Sequence, residues 1–398
     1  MALDKQDKVL NVPTLRFPQF TDNWKEGKLQ DIANFSKGAG ISKDQLTEIG
    51  ESCILYGELY TKYKSEIIKD VLSKTDIESS NLVRSKANDV IIPSSGETAI
   101  DISTARCVPY DNILLGGDLN IIRLKDQDGR FFSYQLNGVR KLDIAQIAQG
   151  VSVVHLYGES LKRLKVRYPS KSEQEKISSL LSVIDDRIET QIRIIEDLKS
   201  LSDVICERLY NPSEKGEWQT YKYEDLFSVS NERNSKLQYK NVLSASQEYG
   251  MIERNELNID IKFEESSITN YKIVRPNQYV IHLRSFQGGF AYSEKTGVCS
   301  PAYTILVPNE NLATAFLKYY FTSKKFIDSL RIVTYGIRDG RSISVEEFLQ
   351  LKVNIPDISQ QNHIVCVMQL WEEKIRTEEA YLFQLQCQKM YLLSTMFV

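Results

Sequence analysis

Residues 173–209 read EQEKISSLLSVIDDRIETQIRIIEDLKSLSDVICERL, and this stretch decides the fold. Ile177, Leu181, Ile184, Ile188, Gln191, Ile195, Leu198, Ser202, Ile205 and Leu209 step by three or four throughout, the spacing that keeps one stripe on one face of an α-helix and makes a coiled-coil seam. Pro169 stands just ahead of it, where proline stops a strand without breaking a helix, and Asn211-Pro212-Ser213 closes it. At 1.5 Å per residue such a helix spans roughly 55 Å, longer than a small domain needs. A continuous apolar stripe of that length does not stay in water alone, so it asks for a partner. The partner is in the same chain. Ile364, Met368, Trp371, Ile375, Glu378, Leu382, Leu385, Lys389 and Leu392 keep the same alternation with two polar interruptions, behind Pro356. We therefore expect two long helices that pair antiparallel and hold two globules apart; a helix that packs along its own globule is the alternative.

Working outward, the whole chain repeats. Trp24-Lys25-Glu26-Gly27-Lys28-Leu29-Gln30-Asp31-Ile32 aligns with Trp218-Gln219-Thr220-Tyr221-Lys222-Tyr223-Glu224-Asp225-Leu226, and Asn88-Asp89-Val90-Ile91-Ile92 with Asn277-Gln278-Tyr279-Val280-Ile281. Leu164-Lys165-Val166, Pro169, Gln174 and Ile177 match Leu351-Lys352-Val353, Pro356, Gln361 and Ile364. Each copy holds about 150 residues of short strand-like runs with Gly and Asn turns, followed by the helical pattern. Strands are predicted at 113–115, 119–124, 152–156, 161–166, 279–283, 303–307 and 349–353, and helices at 132–148 and 311–330. The fold class expected is α+β: two mixed α/β globules separated by two long helices in an antiparallel coiled coil, with a pseudo-two-fold internal repeat. The boundaries read as a first globule at 1–168, a central helix at 169–211, a second globule at 212–355 and a C-terminal helix at 356–398.

Composition bounds the function. With 398 residues, 42 % apolar and 26 % charged, the chain has material for real cores and is not disordered by composition. The net charge of -3 argues against a protein that grips polyanions over its whole surface. The acid is concentrated, however: residues 173–209 carry five basic and nine acidic side chains and 357–398 three and five, which leaves the rest at +3. Six cysteines without a C-x-x-C pair and three histidines far apart support neither a disulfide framework nor a zinc site. No run approaches the roughly 18 apolar residues of a membrane span, and the charged start lacks a signal peptide's apolar run, so a cytoplasmic location is expected.

Catalytic signatures mostly fail. Gly38-Ala39-Gly40 lacks the third glycine of a dinucleotide fingerprint, and there is no G-x-x-x-x-G-K-[ST] loop. Asn211-Pro212-Ser213-Glu214 lacks the second proline and aromatic of an amino-methyltransferase N-P-P-[YF] motif, which needs a ring to stack on a flipped base. Pro356-Asp357 with Glu372-Glu373-Lys374 spells a P-D…E-x-K nuclease pattern, but its second half falls inside the helical period beside Trp371 and Ile375, and Asp357 suits a helix N-terminus.

What remains are polar loops with the composition of nucleic-acid readers. Arg284, Ser285, Gln287 and Gly288 follow a strand; arginine pairs bidentately with guanine, glutamine with adenine, and glycine lets backbone approach phosphate. The corresponding place in the first copy holds Ser94, Ser95, Gly96, Glu97 and Thr98, where a glutamate can accept from cytosine. Two loops of different chemistry are what readers of two different sequences need, although an ordinary hairpin loop fits the same composition. Arg338 and Arg341, in the glycine-rich turn at 336–344, suit phosphate clamping, and a surface salt-bridge loop fits them as well. Lys162, Arg163, Lys165 and Arg167 alternate along an expected strand and would make one face basic.

With the repeat, helices and loops in hand, the chain resembles the specificity subunits of type I restriction-modification systems over essentially its whole length. The resemblance rests on Pro13-Thr14-Leu15-Arg16-Phe17-Pro18 with Phe20 and Trp24, on Ile92-Pro93-Ser94-Ser95-Gly96-Glu97-Thr98, and on Leu114-Leu115-Gly116-Gly117-Asp118-Leu119-Asn120-Ile121. Leu283-Arg284-Ser285-Phe286-Gln287-Gly288-Gly289, Ser300-Pro301-Ala302-Tyr303 and Pro169-Ser170 with Glu173-Gln174-Glu175-Lys176-Ile177 add to it. The resemblance implies two target-recognition domains, each reading one half of a split, asymmetric site on double-stranded DNA, with the helices as a ruler for the unread spacer. It also implies docking of two modification subunits, here expected at Gln174, Ile177, Gln361 and Ile364, and of motor-nuclease subunits in the larger assembly. S-adenosylmethionine would be bound by the modification subunits, and this chain would carry no cofactor, no metal and no catalytic residue. The second copy departs in having Gln360-Gln361-Asn362-His363 in place of Glu173-Gln174-Glu175-Lys176. A chain that cuts or methylates DNA by itself is the main alternative; a scaffold that binds only proteins is a third reading.

Overall fold

The computed structural model describes residues 12–78, 80–211, 218–246, 249–254, 265–282, 289–330, 334–335 and 342–398. The chain divides into two compact units, Met1–Ile192 with Ala380–Val398, and Arg193–Glu379. The division falls inside both long helices, Lys171–Leu209 and Ile358–Thr395, so each unit is a globule with a piece of each helix.

In the first unit a four-stranded antiparallel sheet runs in the order Ala33–Lys37, Leu119–Leu124, Asp89–Pro93, Arg106–Val108. Alternation along its central strands sends side chains to two cores. Val90, Ile92 and Ile122 face a cluster with Trp24, Phe131 and Phe132, while Ile91 and Ile121 face Ile54, Leu59 and Ile68. A second sheet, Ser73–Thr75, Glu51–Ile54, Leu114–Leu115, Val83–Arg84, packs beside it, and a ribbon pairs Lys25–Lys28 with Lys165–Tyr168.

Both helices enter the first core: Ile177, Leu181 and Ile184 from one, Leu392 and Met396 from the other. Within this unit they run antiparallel. Tyr381 shares a groove with Arg187 and Gln191, Lys389 reaches back to Asp185, and Met396 lies in the cluster with Ile177.

The second unit repeats the plan. Its sheet runs Phe227–Ser230, Thr304–Pro308, Tyr279–Ile281, Phe290–Tyr292, and its ribbon pairs Gln219–Lys222 with Lys352–Ile355. Its core is an aromatic stack in which Tyr223 lies 4.5 Å from Phe348 and Phe321 4.5 Å from Phe326. Cys206, Tyr210, Ile364 and Met368 bring the helices into it, and Lys199 pairs with Glu379 at 2.7 Å.

Four expected elements differ. The helix expected over 132–148 is two, Gly129–Asn137 and Lys141–Ile147, broken at Gly138, whose N–H caps Tyr134. That expected over 311–330 is Phe316–Tyr320 and Lys324–Ser329, restarted by Ser323, whose hydroxyl accepts from Phe326. In place of a strand over 161–166 stand a helical turn, Gly158–Lys162, and a strand from Lys165, so only Lys165 and Arg167 of the four expected cations lie on that strand. The strand expected over 349–353 starts at Lys352, because Ser344 caps a helix at Val345–Gln350.

Candidate nucleic-acid interface

At one end of the first unit's central sheet, strands Ala33–Lys37 and Asp89–Pro93 finish and Leu119–Leu124 begins. Three loops are sewn together there. Gly38 donates to the Leu119 carbonyl at 3.0 Å, Ala39 to Leu115 at 3.0 Å, and the Ser94 N–H to Asp118 at 2.7 Å. The fit of Gly38 against Gly116 needs glycine, since a Cβ would come 1.9 Å from the Gly116 carbonyl oxygen. Ser95–Gly96 then pairs with Val154–His155, and Leu156 donates to Ser94 at 2.9 Å.

This geometry sorts residues 94–98. Ser94 and Ser95 are buried, and the Ser94 hydroxyl sits 3.4 Å from the Asp118 carboxylate. Gly96 is half-buried against Ile102, where a Cβ would meet Ile102 Cγ2 at 2.5 Å. Glu97 and Thr98 are exposed; the Thr98 hydroxyl accepts from the Asp101 N–H at 3.1 Å and caps the turn Ala99–Ile102. The two serines and the glycine are thus the support, and Glu97 is the side chain presented.

Arg284, Ser285, Gln287, Gly288, Arg338 and Arg341 lie outside the described residues. The strands flanking the first four are paired, Ile281 with Phe290, and His282 donates to Gly289 at 2.9 Å.

Gln174 and Gln361 sit inside their own units. The Gln174 side chain accepts from the Asp128 N–H at 3.0 Å and donates to Gln127 Oε1 at 2.7 Å and the Pro169 carbonyl at 2.9 Å. Gln361 repeats the clamp, accepting from Ala313 at 2.8 Å and donating to Asn311 at 3.0 Å and Pro356 at 2.9 Å. Each amide ties the start of a long helix to the loop ahead of the globule's helices, and Ile177 and Ile364 lie in the two cores. The helix surface offers something else. Phe383, Met390 and Tyr391 are exposed large hydrophobics spaced by seven and eight, one outward stripe of the C-terminal helix.

Two charged clusters carry no signal in the local sequence. Arg16 forms a two-pronged pair with buried Glu173, both contacts at 2.7 Å, and Trp24 Nε1 donates to the same carboxylate at 3.3 Å. The hydrogen bond to Glu173 raises the Arg16 pKa. The second copy has no such pair: counting back the same eight residues from Trp218 as from Trp24 to Arg16 gives Tyr210, which packs in an apolar core against Phe316, and Gln360, the counterpart of Glu173, is exposed. Deeper in the first unit, Lys389 Nζ lies 2.5 Å from Glu66 and 2.7 Å from Asp185, while Tyr134 donates to Asp185 at 2.6 Å. Burial pulls the Lys389 pKa down, but Glu66 and Asp185 outweigh it and the pKa lies above the ordinary value.

The nuclease pattern does not converge. Asp357 caps its helix, accepting from the Gln360 N–H at 2.9 Å. Glu372 takes Lys318 at 2.9 Å and the Tyr319 hydroxyl at 2.6 Å, and Lys374 pairs with Glu378 along the helix. Among the described residues no group of three His, Cys, Asp or Glu side chains is placed to hold a metal, and no helix is long and apolar enough to cross a membrane.

Two units of one topology, the first with polar loops gathered at a sheet end and both sharing the same pair of helices, define a duplicated α+β recognition protein. The family model of the type I restriction modification DNA specificity domain matches twice, at residues 21–200 and 215–386, and the chain belongs to that family. It is a DNA-recognition subunit of a type I restriction-modification system. Among solved structures, the type I restriction-modification S subunit from M. genitalium is similar with a TM-score of 0.60 at 17 % identity, over 97 % of this chain and 99 % of that one. A chain from a structure described as the basis of complex assembly and conformational transition of the type I R-M system has a TM-score of 0.58 at 12 % identity, over 93 % and 96 %. At these identities the likeness is one of fold. Comparison with curated protein sequences gives no match.

Proposed function

We propose that each unit reads one half of a split, asymmetric site on double-stranded DNA, and that the chain docks two modification subunits and the motor-nuclease subunits without contributing a catalytic residue. The observation that carries this reading is duplication with divergence. The two units share one sheet order, yet the equivalent loops hold Ser94-Ser95-Gly96-Glu97-Thr98 in one and Arg284-Ser285-Phe286-Gln287-Gly288 in the other. A glutamate and an arginine–glutamine pair prefer different bases, so one chain would specify two unlike half-sites.

In this reading S-adenosylmethionine binds to the modification subunits, which methylate adenine, and the complex works in the cytoplasm. Docking fits the outward stripe Phe383, Met390, Tyr391, since exposed apolar rows on a helix suit a partner helix. Gln174 and Gln361 would act indirectly, by fixing where each helix leaves its globule.

The test is selection from random duplexes by the purified complex of this chain with the modification subunits. Recovery of a motif in two separated blocks is expected. Recovery of one uninterrupted block, or none, overturns the proposal.

A further inference from the structure

The segment Gly150–Tyr157 carries a row of side chains that no structural role absorbs. Gln149 and His155 exchange two backbone hydrogen bonds, at 2.9 and 2.7 Å, closing the neck of a hairpin. Gly150 takes φ +124° in it, and a Cβ there would come 2.1 Å from the Val153 carbonyl oxygen, so the turn is built for glycine. Beyond the neck the chain alternates: Val154 and Leu156 point into the core, while Val153, His155 and Tyr157 point out. Val151, at the tip, is 96 % exposed, and the His155 and Tyr157 rings stack at 6.2 Å. The row is apolar at its end, where Val151 and Val153 stand. It is also joined directly to the loop that presents Glu97, through the pairing of Ser95–Gly96 with Val154–His155.

From this geometry, and resting on the reading that the first unit binds duplex DNA, we infer that Val151 and Val153 form a methyl-reading tip that selects thymine in the first unit's half-site. The major groove offers one apolar feature, the thymine C5 methyl, and an aliphatic side chain is the group that recognises it. A valine held out on a closed hairpin gains nothing in the free protein, and covering it with such a methyl removes apolar surface of both from water. Glu97, in the loop just after the adjoining strand Ser95–Gly96, would then read a neighbouring pair by accepting from cytosine.

The experiment uses the complex with the modification subunits and its own two-part site. Each thymine is replaced singly by deoxyuridine, which removes only the methyl. Burial of one methyl corresponds to about a fourfold change in affinity. One or two positions in one half-site are expected to lose about that factor with the natural chain and nothing with the Val151→Ser, Val153→Ser double variant, whose affinity for the other half-site stays unchanged. A half-site without thymine, thymines whose methyls do not matter, or a loss that persists in the double variant overturns the inference while leaving the two-part reading intact. Absence of any sequence preference in the complex would instead remove the reading on which it rests.

Discussion

Replacing Lys389 by methionine probes how the C-terminal helix is fastened to the first unit. The Lys389 side chain is 16 % exposed, and its partners Glu66 and Asp185 are 9 % and 4 % exposed. The Tyr134 hydroxyl completes the cluster through Asp185, and the ammonium lies 5.8 Å from the Tyr134 ring. Methionine preserves the volume and removes the charge, which leaves two carboxylates in a region that water barely reaches. Breaking a buried pair in this way costs about 3–5 kcal/mol. Adding Glu66→Gln and Asp185→Asn removes the stranded charge and recovers most of the loss. The sign with pH follows from the raised folded pKa. The contribution is fully present below the unfolded pKa of about 10.4 and fades as pH climbs through the higher folded value. Urea titration read by hydrogen exchange of peptides from 129–137 and 380–395 isolates this unit from the other. A loss under about 1 kcal/mol for the single variant, or no recovery in the triple one, refutes the argument that the cluster is buried and coupled.

Other consequences are as direct. Gln174→Ala and Gln361→Ala each strand buried backbone groups at the start of a long helix, and each is expected to cost about 2–3 kcal/mol in urea melts; values within experimental error of zero would count against the clamp. Gly38→Ala should lower the melting temperature sharply because its Cβ meets backbone, whereas Gly117→Ala, with its nearest neighbour at 3.7 Å, should be tolerated; equal effects would contradict the packing of the loops. Burial opposes ionisation of Asp128, but Arg130 and Ser178 outweigh it and hold the carboxyl below its ordinary value. Its contribution is therefore present above the unfolded pKa of about 3.9 and lost as pH falls through the folded one, so Asp128→Asn should flatten the acid limb of the stability curve. An unaltered limb would show that Asp128 is not coupled to it. Deleting a whole heptad from the first long helix should change the spacer between half-sites and not their bases; altered bases would argue against the helices as the ruler.

Much of the architecture was legible because it is written in periodicity. The stepping from Ile177 to Leu209 and its echo from Ile364 to Leu392 gave the helices, and the paired motifs around Trp24 and Trp218 gave the two units. Three of the four elements that differ hinge on single residues. Gly138, Ser323 and Ser344 break or start helices inside apolar runs whose period does not betray the interruption. Lys389 is one of the two polar interruptions of the seam, and nothing local announces its partner Glu66, which lies far away in sequence. The candidate loop was legible only in part. Glu97 and Thr98 are exposed, whereas burial of Ser94 and Ser95 depends on pairing with residues 154–156, which no local pattern announces. The row at Val151, Val153, His155 and Tyr157 did leave a signal, the alternation of Val153-Val154-His155-Leu156-Tyr157. That alternation predicts a strand, and nothing in it marks the outward face as a contact surface.

Adenine methylation can be mapped across a genome with the modification subunit supplied alone and then with this chain. If two units of one chain read two half-sites, adding the chain creates methylation at one new motif made of two unlike blocks with a constant gap. Methylation unchanged by the chain, or a new motif without a gap, would contradict that reading.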